Sequence, residues 1–303
     1  MLVCAGVARA DSSDDTRPAS HALVAPAGVD FTPQALPADV HVDPPADGWW
    51  KKKGMCPRGK KPVKDTAKLG DRTWTGWSCG GEVGPYSATT DKGDREAWWK
   101  DADEKWHGGL MRRDFAYEDK ELYLHGVRVG HFVHRALDGT EESFADYRDG
   151  HRHGLANEAL GNRTAGGYYV SGFREGTWFV WNTPVDLVRA KLSFAHGLFD
   201  GEQRWWTRDG KLLARGSFKA GDGTWKVFAP DGARSEMTCK GKDLIELTAW
   251  DRSNTITVHA CGPAAPSSCK AAIGPTEYRD RQKLGAEPGI CDPAFDVPPL
   301  GLF

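Results

Sequence analysis

Between residues 120 and 232 apolar and polar positions alternate in short runs. The clearest are TWFVW (177–181), EQRWW (202–206) and TWKVF (224–228). Their β-branched and aromatic residues, over that length, predict strands. Each run follows a glycine. The residues two and four past it share a face, Trp178 with Val180 and Trp225 with Val227. The residue five past it, Trp181, Trp206 or Phe228, takes the other face. The first face predicts a core; the second is either covered by the Pro-rich ends or exposed as an aromatic strip. Asp138-Gly139, Asp209-Gly210 and Asp231-Gly232 predict the turns between runs. No run approaches eighteen apolar residues, so no transmembrane segment is expected.

A repeat underlies this pattern. An aromatic stands three residues before a first glycine, and a second glycine follows. The copies are Tyr123, Gly126, Gly130; Tyr147, Gly150, Gly154; Tyr169, Gly172, Gly176; Phe194, Gly197, Gly201; and Phe218, Gly221, Gly223. The first glycine steps by 24, 22, 25 and 24 residues, the period of a repeat array. The two glycines are expected to bracket a tight reversal needing positive φ. Each copy then reads as one β-hairpin. A hairpin alone is marginal in water, so the copies must stack. The fold class expected is all-β: an elongated, twisted antiparallel meander of stacked hairpins behind a disordered N-terminal spacer.

The pattern Y/F-x-x-G-x-x-x-G-x-W-x-x-W/F-x-x-x-G resembles MORN repeats, and more closely their bacterial variant in YwqK-type antitoxin proteins. ARGSFKAGDGTWKVFAPDG (214–232) is the best copy and SGFREGTWFVW (171–181) the next. The resemblance covers roughly 120–240. CPRGKKPVKDTAKLGDRTWTGWSCGGEVG (56–84) is similar to the Cys-bounded leader of exported members. The chain departs from the pattern at LANEALG (155–161), which has no tryptophan, and between Gly221 and Gly223, which are two residues too close. The resemblance implies a binding scaffold, or a protein that neutralises a toxin.

Composition bounds the function. The net charge of −2 over 303 residues excludes a polybasic nucleic-acid binder as the default. Of seven cysteines, Cys4 lies in the apolar opening stretch. There Ala8-Arg9-Ala10 before Asp11 fits a secretory cleavage site, and 1–10 reads as a truncated signal peptide. The remaining six, Cys56, Cys79, Cys239, Cys261, Cys269 and Cys291, are an even count and read as disulfides of an exported chain. Cys56 and Cys79 stand alone in the N-terminal half and are expected to pair. The other four allow three pairings, of which Cys239–Cys261 with Cys269–Cys291 is preferred. Residues 11–47 carry six prolines and read as a disordered linker, 48–80 as the Cys-bounded leader, 81–250 as the repeats, and 251–303 as a Pro-rich, disulfide-bearing end.

Candidate chemistry is sparse. His125, His131, His134, His151 and His153 read as surface residues of turns and strands. The acidic run Asp91–Glu104 lacks the alternate spacing of a calcium loop. The basic stretches at 51–53 and 58–64, beside Trp49, Trp50, Trp74 and Trp77, read as a solvated face. No nucleophile elbow, zincin motif or phosphate loop occurs. No cofactor, metal or catalytic residue is expected. The function expected is a non-enzymatic extracytoplasmic scaffold of a bacterial periplasm, outer envelope or secretome, binding another protein through its sheet surface. The alternatives are a cell-envelope glycan or peptidoglycan binder using Trp181, Trp206 and Phe228, and a toxin-neutralising protein.

Overall fold

The computed structural model describes residues 16–139, 142–160, 162–182, 185–254, 256–261 and Cys291. The signal-peptide reading and Cys269 lie outside them. The fold is all-β, an antiparallel meander. Its strands are β1 (Val63–Leu69), β2 (Arg72–Ser78), β3 (Gly84–Thr90), β4 (Arg95–Lys100), β5 (Gly108–Arg113), β6 (Tyr117–Leu124) and β7 (Val127–Ala136). There follow β8 (Glu142–Arg148), β9 (His151–Leu160), β10 (Arg163–Val170), β11 (Phe173–Asn182), β12 (Leu187–Ala195), β13 (Leu198–Phe199) and β14 (Gly201–Trp206). The last are β15 (Leu212–Lys219), β16 (Asp222–Phe228), β17 (Arg234–Lys240), β18 (Asp243–Trp250) and β19 (Ile256–Cys261). β13 and β14 are one strand interrupted at Asp200, and both pair with β12.

The chain divides into two compact units. Leu23–Gly176 form one; Thr177 onward, with the described residues before Leu23, form the other. No helix among the described residues is long and apolar enough to cross a membrane.

The reversal in each repeat differs from the expectation. It is centred on the first glycine and the residue before it, and not on the stretch between the two glycines. His125-Gly126, Asp149-Gly150, Ser171-Gly172, His196-Gly197 and Ala220-Gly221 all have φ between +47° and +90° at both positions. Positive φ at two successive residues makes the mirror-image turn whose twist suits a two-residue hairpin. Each such turn leans on the hairpin before it. The N–H groups of Gly126, Gly150, Gly172 and Gly221 donate to the carbonyls of Trp106, Arg128, Arg152 and Phe199 at 2.7–3.0 Å. The preceding residue is held by a side chain: His125 N–H by His107 Nδ1, Ser171 N–H by His153 Nδ1, and Ala220 N–H by Asp200 Oδ2.

The second glycine lies inside the next strand and faces an aromatic. Gly108 pairs with Tyr123, Gly130 with Tyr147, Gly154 with Tyr169, and Gly201 with Phe218. The space a Cβ would take is filled by other atoms: His41 O and Trp99 at Gly108, Leu122 at Gly130, Asp146 at Gly154 and Ser193 at Gly201. At Gly223 a Cβ would stand 2.1 Å from the Ser217 carbonyl oxygen and 2.7 Å from the Phe218 ring. Gly223 pairs with Phe218 within its own hairpin and with the disulfide-bonded Cys239 on the next strand.

In the Leu23–Gly176 unit, 23–47 is not a free spacer. It lies on the sheet as a strap. The Phe31 ring packs on Tyr168 and His153 at 5.0 and 5.4 Å between centroids. His41 stacks on Trp99 at 3.9 Å, and its carbonyl accepts the Gly109 N–H at 2.7 Å. Trp99 Nε1 donates to the Asp43 carbonyl. The prolines keep the strap extended, while its few aromatics supply the contact that composition alone undervalues. In the other unit, Arg17 donates to the Arg208 carbonyl and His21 packs on Trp181.

Cys56 pairs with Cys79, as expected, across the β1–β2 hairpin. Neither preferred bond, Cys239–Cys261 nor Cys269–Cys291, is formed: Cys239 bonds Cys291. Cys239 is on β17 and Cys261 on β19, with β18 between them. Two strand spacings are about 10 Å, beyond the reach of a disulfide. Two disulfides fit an oxidising, extracytoplasmic compartment.

Candidate functional site

The repeat positions hold two kinds of side chain. In the Leu23–Gly176 unit the aromatic is tyrosine, and an arginine stands two residues past the first glycine: Tyr123 with Arg128, Tyr147 with Arg152, Tyr169 with Arg174. Arg128 donates to Glu121 at 2.5 Å and reaches the hydroxyls of Tyr123 and Tyr147 at 3.3 Å. Arg152 donates to Glu158 and, at 3.0 Å, to Tyr169 Oη. Glu158 also accepts from Tyr169 Oη and Arg174, both at 2.7 Å. Arg128 and Arg152 lie over the Tyr147 and Tyr169 rings, at 5.0 and 5.1 Å.

The electrostatics close on themselves. Burial works to raise the Glu158 pKa, but the charges of Arg174 and Arg152 and the Tyr169 hydroxyl outweigh it, and the net direction is down. Burial and the adjacent Glu158 carboxylate push the Tyr169 phenol up. For Arg128, burial favours loss of the proton, yet the Tyr123 and Tyr147 hydroxyls and Glu121 carry its pKa up. This ladder is a polar core whose members satisfy one another.

Of the two readings of the second face, the open aromatic strip is not what forms. The core face is as expected, with Trp178 at 1 % exposure and Val180, Trp225 and Val227 buried. On the other face, Trp206 is only 1 % exposed. The β14–β15 register slips between Trp205 and Trp206, and both indoles go inside. A bulge breaks the alternation on which the strip was read. Trp181 is half-buried under His21, whose ring stacks on it at 4.0 Å. Phe228 is half-buried, with the Arg215 guanidinium 5.8 Å from its ring. The other candidates are also occupied by structure. Trp49 is buried and donates to Ser87 Oγ, and Trp50 stacks on Trp77. His131 and His134 pair with separate carboxylates, Asp146 and Asp119. Within the acidic run, Asp91 accepts the Thr73 N–H and Asp94 pairs with Arg72.

What remains on the polar face of the Thr177 unit is a row of cations. Lys191 pairs across the sheet with Arg204, Arg204 with Arg215, and Arg215 with Lys226. Like charges placed directly opposite one another destabilise a sheet, so four in register need compensation. Glu202 pairs with Arg204 at 2.6 Å, and Glu236 with Lys226 at 3.1 Å. The neighbouring row carries hydroxyls, with Ser217 directly opposite Thr224. Between the rows runs a cleft of about 380 Å³ lined by Arg204, Arg215, Lys226, Ser217, Thr224 and Glu202, over the backbone of Gln203, Gly216 and Gly223. Ammonium, guanidinium and hydroxyl donors side by side suit carboxylate acceptors.

These cations carried a signal in the sequence. Lys191 and Arg215 stand three residues before Phe194 and Phe218; Arg204 and Lys226 stand three past Gly201 and Gly223. The earlier copies lack cations at most of these positions. Compared with known proteins, the chain matches no family model, and no curated protein matches it.

Proposed function

We propose that this chain is a non-enzymatic, exported scaffold that binds an acidic segment of another protein along the polar face of β14–β16. The observation that carries the reading is the in-register row Lys191, Arg204, Arg215 and Lys226 beside an open cleft. The disulfides support placing it in a bacterial periplasm, outer envelope or the medium. The Tyr/Phe-and-glycine punctuation supports reading it beside MORN-type and YwqK-type repeat proteins. A glycan-stacking role is less well supported, because Trp206 is buried and Trp181 is covered.

The test uses a fluorescent oligoglutamate peptide and the full, disulfide-bonded chain. Binding weakens as salt rises, because exposed charges are screened within about 10 Å at 0.1 M. The double variant Arg215→Glu, Lys226→Glu abolishes it, whereas charge reversal at Lys68, on exposed β1, leaves it unchanged. Equal binding by the wild type and the double variant rejects the reading. A stronger, sequence-independent attachment to DNA or heparin replaces the protein partner with a polyanion.

A further inference from the structure

We propose that Asp101, His107 and His125 form a binding site for a divalent transition ion of the zinc class. One ligand atom from each lies within 4.8 Å of the others. The three come from two connections, the β4–β5 loop and the β6–β7 turn. Asp101 opens the loop after β4, His107 precedes β5, and His125 is the first residue of the β6–β7 turn.

The donors are held in place before any ion arrives. Asp101 Oδ1 accepts the N–H groups of Asp103 and Lys105, at 2.9 and 3.0 Å. That leaves Oδ2 facing His125 Nδ1 at 2.6 Å. The Asp101 and His107 side chains are 11 % and 10 % exposed, and His125 is 65 % exposed, which gives the site an entrance. The tautomer of His107 is also chosen. Its Nδ1 accepts the His125 backbone N–H at 3.3 Å, so the neutral ring keeps its lone pair there and its hydrogen on Nε2. Nε2 faces Asp39 Oδ2 at 3.9 Å. Metal-bound imidazoles commonly direct the second nitrogen at a carboxylate in this way. A 3.3 Å N–H···N contact is long and gives way readily to a metal bond. As the ion enters, the hydrogen between His125 Nδ1 and Asp101 Oδ2 is given up to solvent and the neutral ring carries its one N–H on Nε2, which frees the Nδ1 lone pair. Two imidazoles and a carboxylate match the zinc-class donor set, with water completing the shell.

The repeat itself provides a contrast. His153 also holds a turn N–H, that of Ser171, through Nδ1, and its Nε2 meets the Asp30 carbonyl. There Ser171 stands where His125 stands, so the turn offers no second imidazole.

Equilibrium dialysis of the full chain against Zn²⁺, after chelator treatment, tests the site. One ion per chain is expected. His125→Asn and Asp101→Asn each weaken uptake by at least about tenfold, the loss typical of disturbed ligation. His131→Ala leaves uptake unchanged. Asparagine tolerates the left-handed backbone of position 125, so a loss in that variant reports ligation and not a collapsed turn. Co²⁺ in place of zinc gives visible absorption bands that disappear in the same variants. Absence of stoichiometric uptake, or uptake that survives both substitutions, overturns the proposal.

Discussion

Tyr123, Tyr147 and Tyr169 stand three residues before the first glycine of their hairpins, and Arg128, Arg152 and Arg174 two residues after it. In the Thr177 unit Phe194 and Phe218 hold the first position and Phe199 the second. There the rings pack on one another: Phe199 lies 5.2 Å from Phe194, 5.4 Å from Phe218 and 5.6 Å from Trp225. The same backbone device, a mirror-image turn followed by a glycine paired across the sheet with an aromatic residue, therefore carries a charged polar core in one unit and an aromatic core in the other. The exchange is concerted for a physical reason. An arginine among phenylalanines would be a buried charge without acceptors, and a tyrosine without its arginine and glutamate would bury an unpaired hydroxyl. The turn specifies the hairpin, and the pair of residues astride it specifies what the hairpin buries.

That contrast makes the two units respond differently to damage. The largest effects belong to the Thr177 unit. Replacing Cys239 and Cys291 by serine releases a bond that spans 52 residues and costs about 4 kcal/mol in the chain-entropy model, read as a lower denaturant midpoint. Phe199→Ala opens a cavity among three aromatic rings and costs about 3–5 kcal/mol. A loss below about 1 kcal/mol would mean that the aromatic core is not the unit's support.

In the Leu23–Gly176 unit the counterpart is Glu158→Ala. It removes the carboxylate that accepts from Arg174, 11 % exposed at its side chain, and from Arg152, and costs about 3 kcal/mol. Glu158→Gln recovers only part of this, because the amide keeps the shape and loses the charge.

Acid separates the units without mutation. The folded-state pKa of Glu158 lies below its ordinary value of 4.5, so its contribution is fully present above that value. It is lost as the pH falls below 4.5 and through the lower folded value. Hydrogen exchange at about pH 3 should therefore show amides of β9 and β10 losing protection relative to neutral pH, while those of β15 and β16 keep theirs. Equal loss in both would break the comparison.

The smallest effect tests the shared turn. Ala220 adopts φ of 51°, a strained value for alanine. Ala220→Asn should raise stability by roughly 0.5–1 kcal/mol, because asparagine enters that region at lower cost.

The punctuation was legible because a two-residue hairpin needs glycine at a fixed place. Tyr169, Phe194 and Phe218 were legible as core for the same reason, and all three are buried. The ladder was less so. The arginine two past the first glycine recurs three times, but Glu158, which joins Arg152 to Arg174, stands in the copy that departs most from the pattern. Trp206 misled because alternation was carried through a bulge that no local residue announces. The strap misled because proline content says how a segment is shaped and not whether Phe31 and His41 find rings to rest on. His107 and His125 are 18 residues apart, and Asp101 lies six residues before His107. Nothing in that spacing brings them together until one hairpin is laid beside the next.

By itself the sequence determined the hairpins, their period, the face that carries the core, and the Cys56–Cys79 bond, because each depends on residues near one another along the chain. Only the tertiary structure decided which half-cystine meets Cys239, which tryptophans stay in water, and which cations fall into one row. Those outcomes depend on register between strands, where a slip of one residue exchanges inside for outside.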